Sequence, residues 1–130
     1  MSNRSKGSNA ERELVKMFTD HGWRAARVAG SGVNDESPCD IIAGKIGKKG
    51  VTVEAKSSKG PYIYIKKAQI EDFLKFSHMI DLDPVLAVRF NREGWLFLKP
   101  EMLKDSGVNL VMSLENAKQH GKRFGQFFEG

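Results

Sequence analysis

Asp40 and Glu54 stand with thirteen residues between them, and Lys56 follows the second carboxylate by two positions. Successive side chains of an extended chain point to opposite faces. In 51–56, Thr52, Glu54 and Lys56 therefore share one face, and Val51, Val53 and Ala55 share the other. The intervening Gly-Lys-Ile-Gly-Lys-Lys-Gly reads as a hairpin connection. With its turn centred near Lys48, antiparallel pairing sets Asp40 opposite or diagonal to Ala55 and Lys56. Two carboxylates and an ammonium then converge. Hard divalent cations such as Mg²⁺ take oxygen ligands and are held by one or two carboxylates, with water and substrate phosphate completing the shell. Asp40 and Glu54 supply such oxygens, and the Ala55 main-chain carbonyl offers a third. A cation there lowers the pKa of its water and neutralises a scissile phosphate, while Lys56 orients the water or stabilises the charge that develops. A Glu-x-Lys tripeptide alone equally describes a surface ion pair. Its weight here comes from the facing strand and from Glu11.

The elements that position these groups are legible in outline. Ser8 and Glu11 form a capping-box pattern opening a helix that runs to about Gly22. Leu14, Val15 and Phe18 make its apolar stripe. Glu11 precedes Leu14 and Val15 by three and four residues, so it lies on the face that meets the core, whereas Glu13 points elsewhere. Strands are expected over 23–28, 39–43 and 51–56, with a Gly-, Ser- and Asn-rich loop over 29–38. An extended stretch at 61–65 leads into a second helix from Lys66 or Lys67, with a broad apolar face of Ile70, Phe73, Leu74, Phe76, Ser77 and Ile80. A further hairpin pairs 85–90 with 95–98, Pro100 stops it, and a last helix follows Ser113. The segment 1–7 reads as a basic arm. The segment 108–130 leaves three roles open: completing the core, docking a partner through Phe124, Phe127 and Phe128, or fraying, with the Phe-rich 124–130 as the tail that would fray.

One domain must carry all of this, because 130 residues supply one hydrophobic core. A hydrophobic fraction of 40% and a charged fraction of 28% describe a globular chain. Lysine and arginine number 21 against 16 acids, a net charge of +5, which suits a polyanionic partner without demanding one. Arg4, Lys6, Arg24, Arg27, Lys45, Lys48, Lys49, Lys59, Lys66 and Lys67 concentrate in the first half, around the proposed site, and are expected at DNA phosphates. The single cysteine, Cys39, excludes an internal disulfide and reads as a packing residue; three scattered histidines make no zinc pattern. With no leader-like or membrane-length apolar run, a cytoplasmic protein without a membrane partner is expected.

In order along the chain, Lys6-Gly7-Ser8-Asn9-Ala10-Glu11-Arg12, Arg27-Val28-Ala29-Gly30-Ser31-Gly32, Asp40-Ile41-Ile42, Glu54-Ala55-Lys56-Ser57 and Tyr64-Ile65-Lys66-Lys67-Ala68-Gln69 resemble the motifs of the archaeal Holliday junction resolvases. These belong to the PD-(D/E)xK nucleases; here the proline stands one place early, as Pro38-Cys39-Asp40. The resemblance implies a restriction-endonuclease-like α/β (α+β) fold, with a central mixed β-sheet flanked by helices in a single domain. It implies a homodimer that cuts opposed strands of a four-way junction with Mg²⁺, for which Mn²⁺ substitutes. No small-molecule substrate is expected, and recombination or replication proteins are conceivable partners. Glu11, Asp40 and Glu54 would surround the metal, Lys56 would act in catalysis, Arg27 would meet phosphate, and Ser31 would sit on a loop beside the site, contributing to catalysis and DNA contact. A twofold axis also requires a self-complementary apolar patch, for which Phe73, Phe76 and Ile80 are the candidates. The alternative is a restriction-like or repair nuclease of the same fold with another DNA substrate; a non-catalytic DNA-binding protein is disfavoured by the intact Asp40, Glu54 and Lys56.

Overall fold

In the computed structural model, residues 3–29 and 37–130 are described, with side chains from Asn9 onward. The elements run α1 (Asn3–Asp20), β1 (Arg24–Arg27), β2 (Ile41–Gly44), β3 (Val51–Ser58), β4 (Tyr62–Lys66), α2 (Lys67–Met79), β5 (Asp83–Phe90), β6 (Leu96–Leu98), a 3-10 turn (Pro100–Met102), β7 (Lys104–Ser106), β8 (Asn109–Ser113), α3 (Leu114–His120) and α4 (Phe124–Phe128). A five-stranded mixed sheet has the order β1-β2-β3-β5-β6, and a second, three-stranded sheet the order β4-β8-β7. The expected central mixed sheet with flanking helices is therefore present.

Alternation along the strands decides what covers each face of the central sheet. Ile41, Ala43, Val51, Val53, Val85, Ala87 and Phe97 point to one side, where Leu14 and Phe18 of α1 and Phe124 of α4 meet them. Leu86, Val88, Phe90, Leu96 and Leu98 point to the other, against Ile70 and Phe73 of α2 and against Ile63, Ile65 and Met112 of the second sheet. Strands β3 and β5 pair in parallel, from Val51 opposite Asp83 to Ser58 opposite Phe90. A parallel neighbour needs a crossover, and here β4 and α2 form it. The hydroxyls of Thr52 and Ser77, both buried, lie 2.6 Å apart in a hydrogen bond that ties α2 to β3.

Two expectations change, and one question left open is decided. Ser8 lies inside α1 rather than at its cap, because Asn3–Gly7, expected as an arm, contain no proline and continue the helix; Glu11 is thereby relieved of any capping duty. At the other end, Gly22 adopts φ +84 and terminates the helix as anticipated. The Phe-rich tail completes the core: Phe124 is buried, and its ring packs edge-on against those of Phe18 and Phe97 at 5.0 and 5.7 Å. Phe73 is also core. With no exposed surface at all, it has nothing to present to a partner.

Candidate active site

The β2–β3 hairpin turns at Gly47, whose φ of +83 suits glycine. The ladder pairs Ile41 with Val53 and Ala43 with Val51. The ladder ends at Ile41, and Asp40 bonds to Val53 rather than pairing with Glu54, so the hairpin is centred on Gly47, one residue before the Lys48 expected. The two carboxyl groups nevertheless meet, Asp40 acting on Glu54 through its charge and a side-chain hydrogen bond. The Asp40 main-chain N–H donates to the Val53 carbonyl at 2.9 Å, and its side-chain Oδ2 accepts the Ala55 N–H at 2.8 Å. Asp40 is thus clamped to the same strand that carries Glu54.

Glu54 faces α2 and is buried, with 2% of its surface exposed. Burial raises its pKa to about 8, and the neighbouring Asp40 charge pushes the same way against the opposing pull of Lys56. Gln69, on the first turn of α2, donates a hydrogen bond from Nε2 to Glu54 Oε2. Lys56, half-buried, projects from the same face of β3 as Glu54. Glu11 approaches from α1. Arg27 Nε donates to its Oε1 at 3.1 Å, joining α1 to β1. Burial raises the pKa of Glu11, with Arg27 opposing and Asp40 adding to the rise. Glu13 does point elsewhere, to an ion pair with Arg89. Burial, then the charges of Glu54 and Asp40, lift the Cys39 thiol to about 12, so it remains a neutral packing group.

The donor set fits a hard cation. The carboxylates of Asp40 and Glu54 stand close together in a desolvated setting, where a positive charge between them would relieve their mutual repulsion. Among the described residues, no three acidic, histidine or cysteine side chains converge as a ready-made cage. Glu11 is therefore not gathered with Asp40 and Glu54 into one ligand cluster; it is engaged by Arg27.

The basic residues divide. Arg27 lies beside the carboxylates through Glu11, and Lys59 and Lys66 are exposed on the connection and strand that follow β3. Lys48 and Lys49 occupy the hairpin turn, at the end of β2 and β3 remote from Asp40 and Glu54, so they are not around the site; Lys49 is paired with Asp81 at 3.1 Å. Lys45 donates to the His21 carbonyl at 2.9 Å, and Lys67 pairs with Asp105 at 2.7 Å. Ser31 and the side chains of Arg4 and Lys6 lie outside the described residues. Gln69 received no role from sequence reasoning, although its place four residues before Phe73, on the buried side of α2, marks a polar group turned inward.

Comparison with known proteins places this geometry. Residues 2–126 match the family described as archaeal Holliday junction resolvase (Hjc). The crossover junction endodeoxyribonuclease Hjc of Methanocaldococcus jannaschii is 39% identical over 107 residues, covering 82% of this chain and 75% of that protein. The enzyme of the same name from Archaeoglobus fulgidus is 32% identical and covers 96% of both chains. A solved structure of Archaeoglobus fulgidus Hjc, described as a Holliday junction resolvase from an archaeal hyperthermophile, superposes with a TM-score of 0.82 at 26% identity, over 94% of each chain. Nuclease chemistry of this kind implies a divalent metal ion. The chain belongs to the archaeal Holliday junction resolvase family.

Proposed function

We propose that this protein is a Mg²⁺-dependent endodeoxyribonuclease that resolves four-way DNA junctions, acting as a homodimer to nick two opposed strands symmetrically. The observation that carries the reading is the contact of the Asp40 carboxylate with buried Glu54, with Lys56 on the same face, in a chain of this family. When bound, a divalent cation supplies Lewis acidity toward a phosphate oxygen and a water of lowered pKa. The chain's own residues do the rest. The Ala55 N–H and the Val53 carbonyl fix Asp40, and Gln69 fixes the rotamer of Glu54. Lys56 puts positive charge beside the carboxylates, where negative charge grows on a phosphate under attack. Glu11 and Arg27 form a polar link at the rim, with Arg27 available to phosphate by exchanging its carboxylate partner.

The dimer is inferred from the reaction, since two symmetric cuts need two sites related by a twofold axis. Phe76, half-buried, and Ile80, 40% exposed at the C-cap of α2, offer apolar surface at the end of that helix. No described helix is long and apolar enough to cross a membrane. A buried, unpaired Cys39 suits a reducing cytoplasm. The test is cleavage of a labelled immobile four-way junction beside a linear duplex of the same sequence, with Mg²⁺ or EDTA. Wild type should place paired nicks in the junction alone, and only with metal; Asp40→Asn should bind the junction and leave it intact. Equal cutting of the duplex would assign the same apparatus to another DNA substrate, and cleavage by Asp40→Asn at the wild-type rate would remove Asp40 from the site.

A further inference from the structure

The second sheet presents an outer face that catalysis does not use. Along β4, Ile63 and Ile65 turn inward and are buried, so Tyr62, Tyr64 and Lys66 turn outward together. Both tyrosines are more than half exposed, at 52% and 57%. Their rings lie side by side, centroids 6.1 Å apart and planes inclined by 33°. Directly opposed residues of paired strands share a face, so the register extends the surface. Tyr62 faces Ser113, Tyr64 faces Val111, and Lys66 faces Asn109. Beyond them Lys104 faces Val111, and Ser106 faces Asn109. Two exposed aromatic rings are thus flanked by two lysines, with no acid among these outward positions. Asp105, the acid nearest in sequence, is held by Lys67 at 2.7 Å.

Exposed tyrosines two apart on a strand are costly as mere surface, because each leaves a large apolar ring in water. Rings displayed on a sheet with cationic side chains at the margin are the arrangement by which unpaired bases are bound: the ring stacks on a base and the cation meets the backbone. A base in a closed duplex offers no free face. We propose that the outer face of β4-β8-β7 is a stacking platform for unpaired nucleotides, with Tyr62 and Tyr64 as the stacking groups and Lys66 and Lys104 as the phosphate contacts. Along the chain the platform adjoins the site, since β4 passes without a loop into α2, whose Gln69 touches Glu54. Assigning those nucleotides to the branch point of a junction rests on the junction reading; the binding surface itself does not.

The experiment separates the two. Binding of a short oligothymidylate and of a blunt duplex is measured by fluorescence anisotropy in EDTA, with the full chain as wild type, as Tyr62→Ala/Tyr64→Ala and as Tyr62→Phe/Tyr64→Phe. Stacking predicts that the alanine pair weakens single-strand binding by about tenfold or more, that the phenylalanine pair stays near wild type, and that duplex binding hardly changes. A 2-aminopurine in the oligonucleotide should be quenched by wild type and by the phenylalanine pair only. Unchanged single-strand affinity in the alanine pair overturns the proposal, as does an equal loss in the phenylalanine pair. A change of sedimentation without a loss of single-strand binding also overturns it, by showing the face to be covered by a second copy. Failure of wild type to cut junctions with Mg²⁺ would instead count against the resolvase reading, whatever the oligonucleotide data show.

Discussion

Glu54 holds its proton far more tightly than an exposed glutamate because burial removes water from its charged form and Asp40 repels it. The consequence has a sign. In the unfolded chain this group ionises near 4.5, and in the fold at about 8. Between those values the folded state keeps a proton that the unfolded state has lost, so the contribution to stability is fully present below 4.5 and fades as pH rises toward about 8. A divalent cation beside Asp40 must displace that proton, so metal affinity should rise with pH across the same window and level off above it. Calorimetry of Mg²⁺ binding in buffers of different ionisation enthalpy should register proton release near neutrality, and Glu54→Gln should abolish it. An enthalpy independent of the buffer would mean that Glu54 is already ionised. At this scale the sequence is most informative where spacing is local. Glu54 and Lys56 share a face by strand geometry alone, and Asp40 reaches Ala55, one of the two residues expected across from it. The engagement of Glu11 by Arg27, sixteen residues on, and that of Glu54 by Gln69 depend on how α1 and α2 dock, which no local pattern encodes.

Among the elements, α2 and both hairpins are legible because their apolar residues repeat at the period of the structure they adopt. Ser113 reads equally well as a cap and accepts the Asn116 N–H at 3.1 Å. Lys104–Ser106 escapes recognition because all three residues are polar and exposed, and it is a strand only through its pairing with Asn109–Ser113. The tail escapes for the opposite reason. Three phenylalanines near the end of a chain suit a core, a docking patch or a loose end, and only the aromatic cluster with Phe18, Trp23 and Phe97 decides among them. Phe124→Ala should therefore destabilise the protein by about 3–5 kcal/mol, as truncation of a fully packed aromatic does. Chemical denaturation would register this as a lower midpoint with an unchanged slope. An unaltered midpoint would mean that α4 adds nothing to the core.

For the molecule as a whole, symmetry is the property least visible in one chain. The sequence offers three apolar residues for a partner, and the fold withdraws Phe73 into its own core, leaving Phe76 and Ile80. Ile80→Asp places a charge where a twofold contact would have to desolvate it. It should shift sedimentation from dimer toward monomer and convert paired junction nicks into single ones, while denaturant stability changes little because the position is 40% exposed. A dimer unaffected by this change would move the interface off α2. Charge also acts at this scale: a net charge of +5 suits every phosphate backbone alike, so it carries no discrimination between DNA forms. The parallel pairing of β3 with β5 adds a constraint in time. Synthesis delivers Asp40, Glu54 and Lys56 before the crossover that covers them, and until Gln69, Ser77 and β5 have followed, Glu54 is an ordinary solvated carboxylate on a two-stranded ribbon. The carboxylate pair therefore acquires its desolvated setting only after the crossover and β5 have been made.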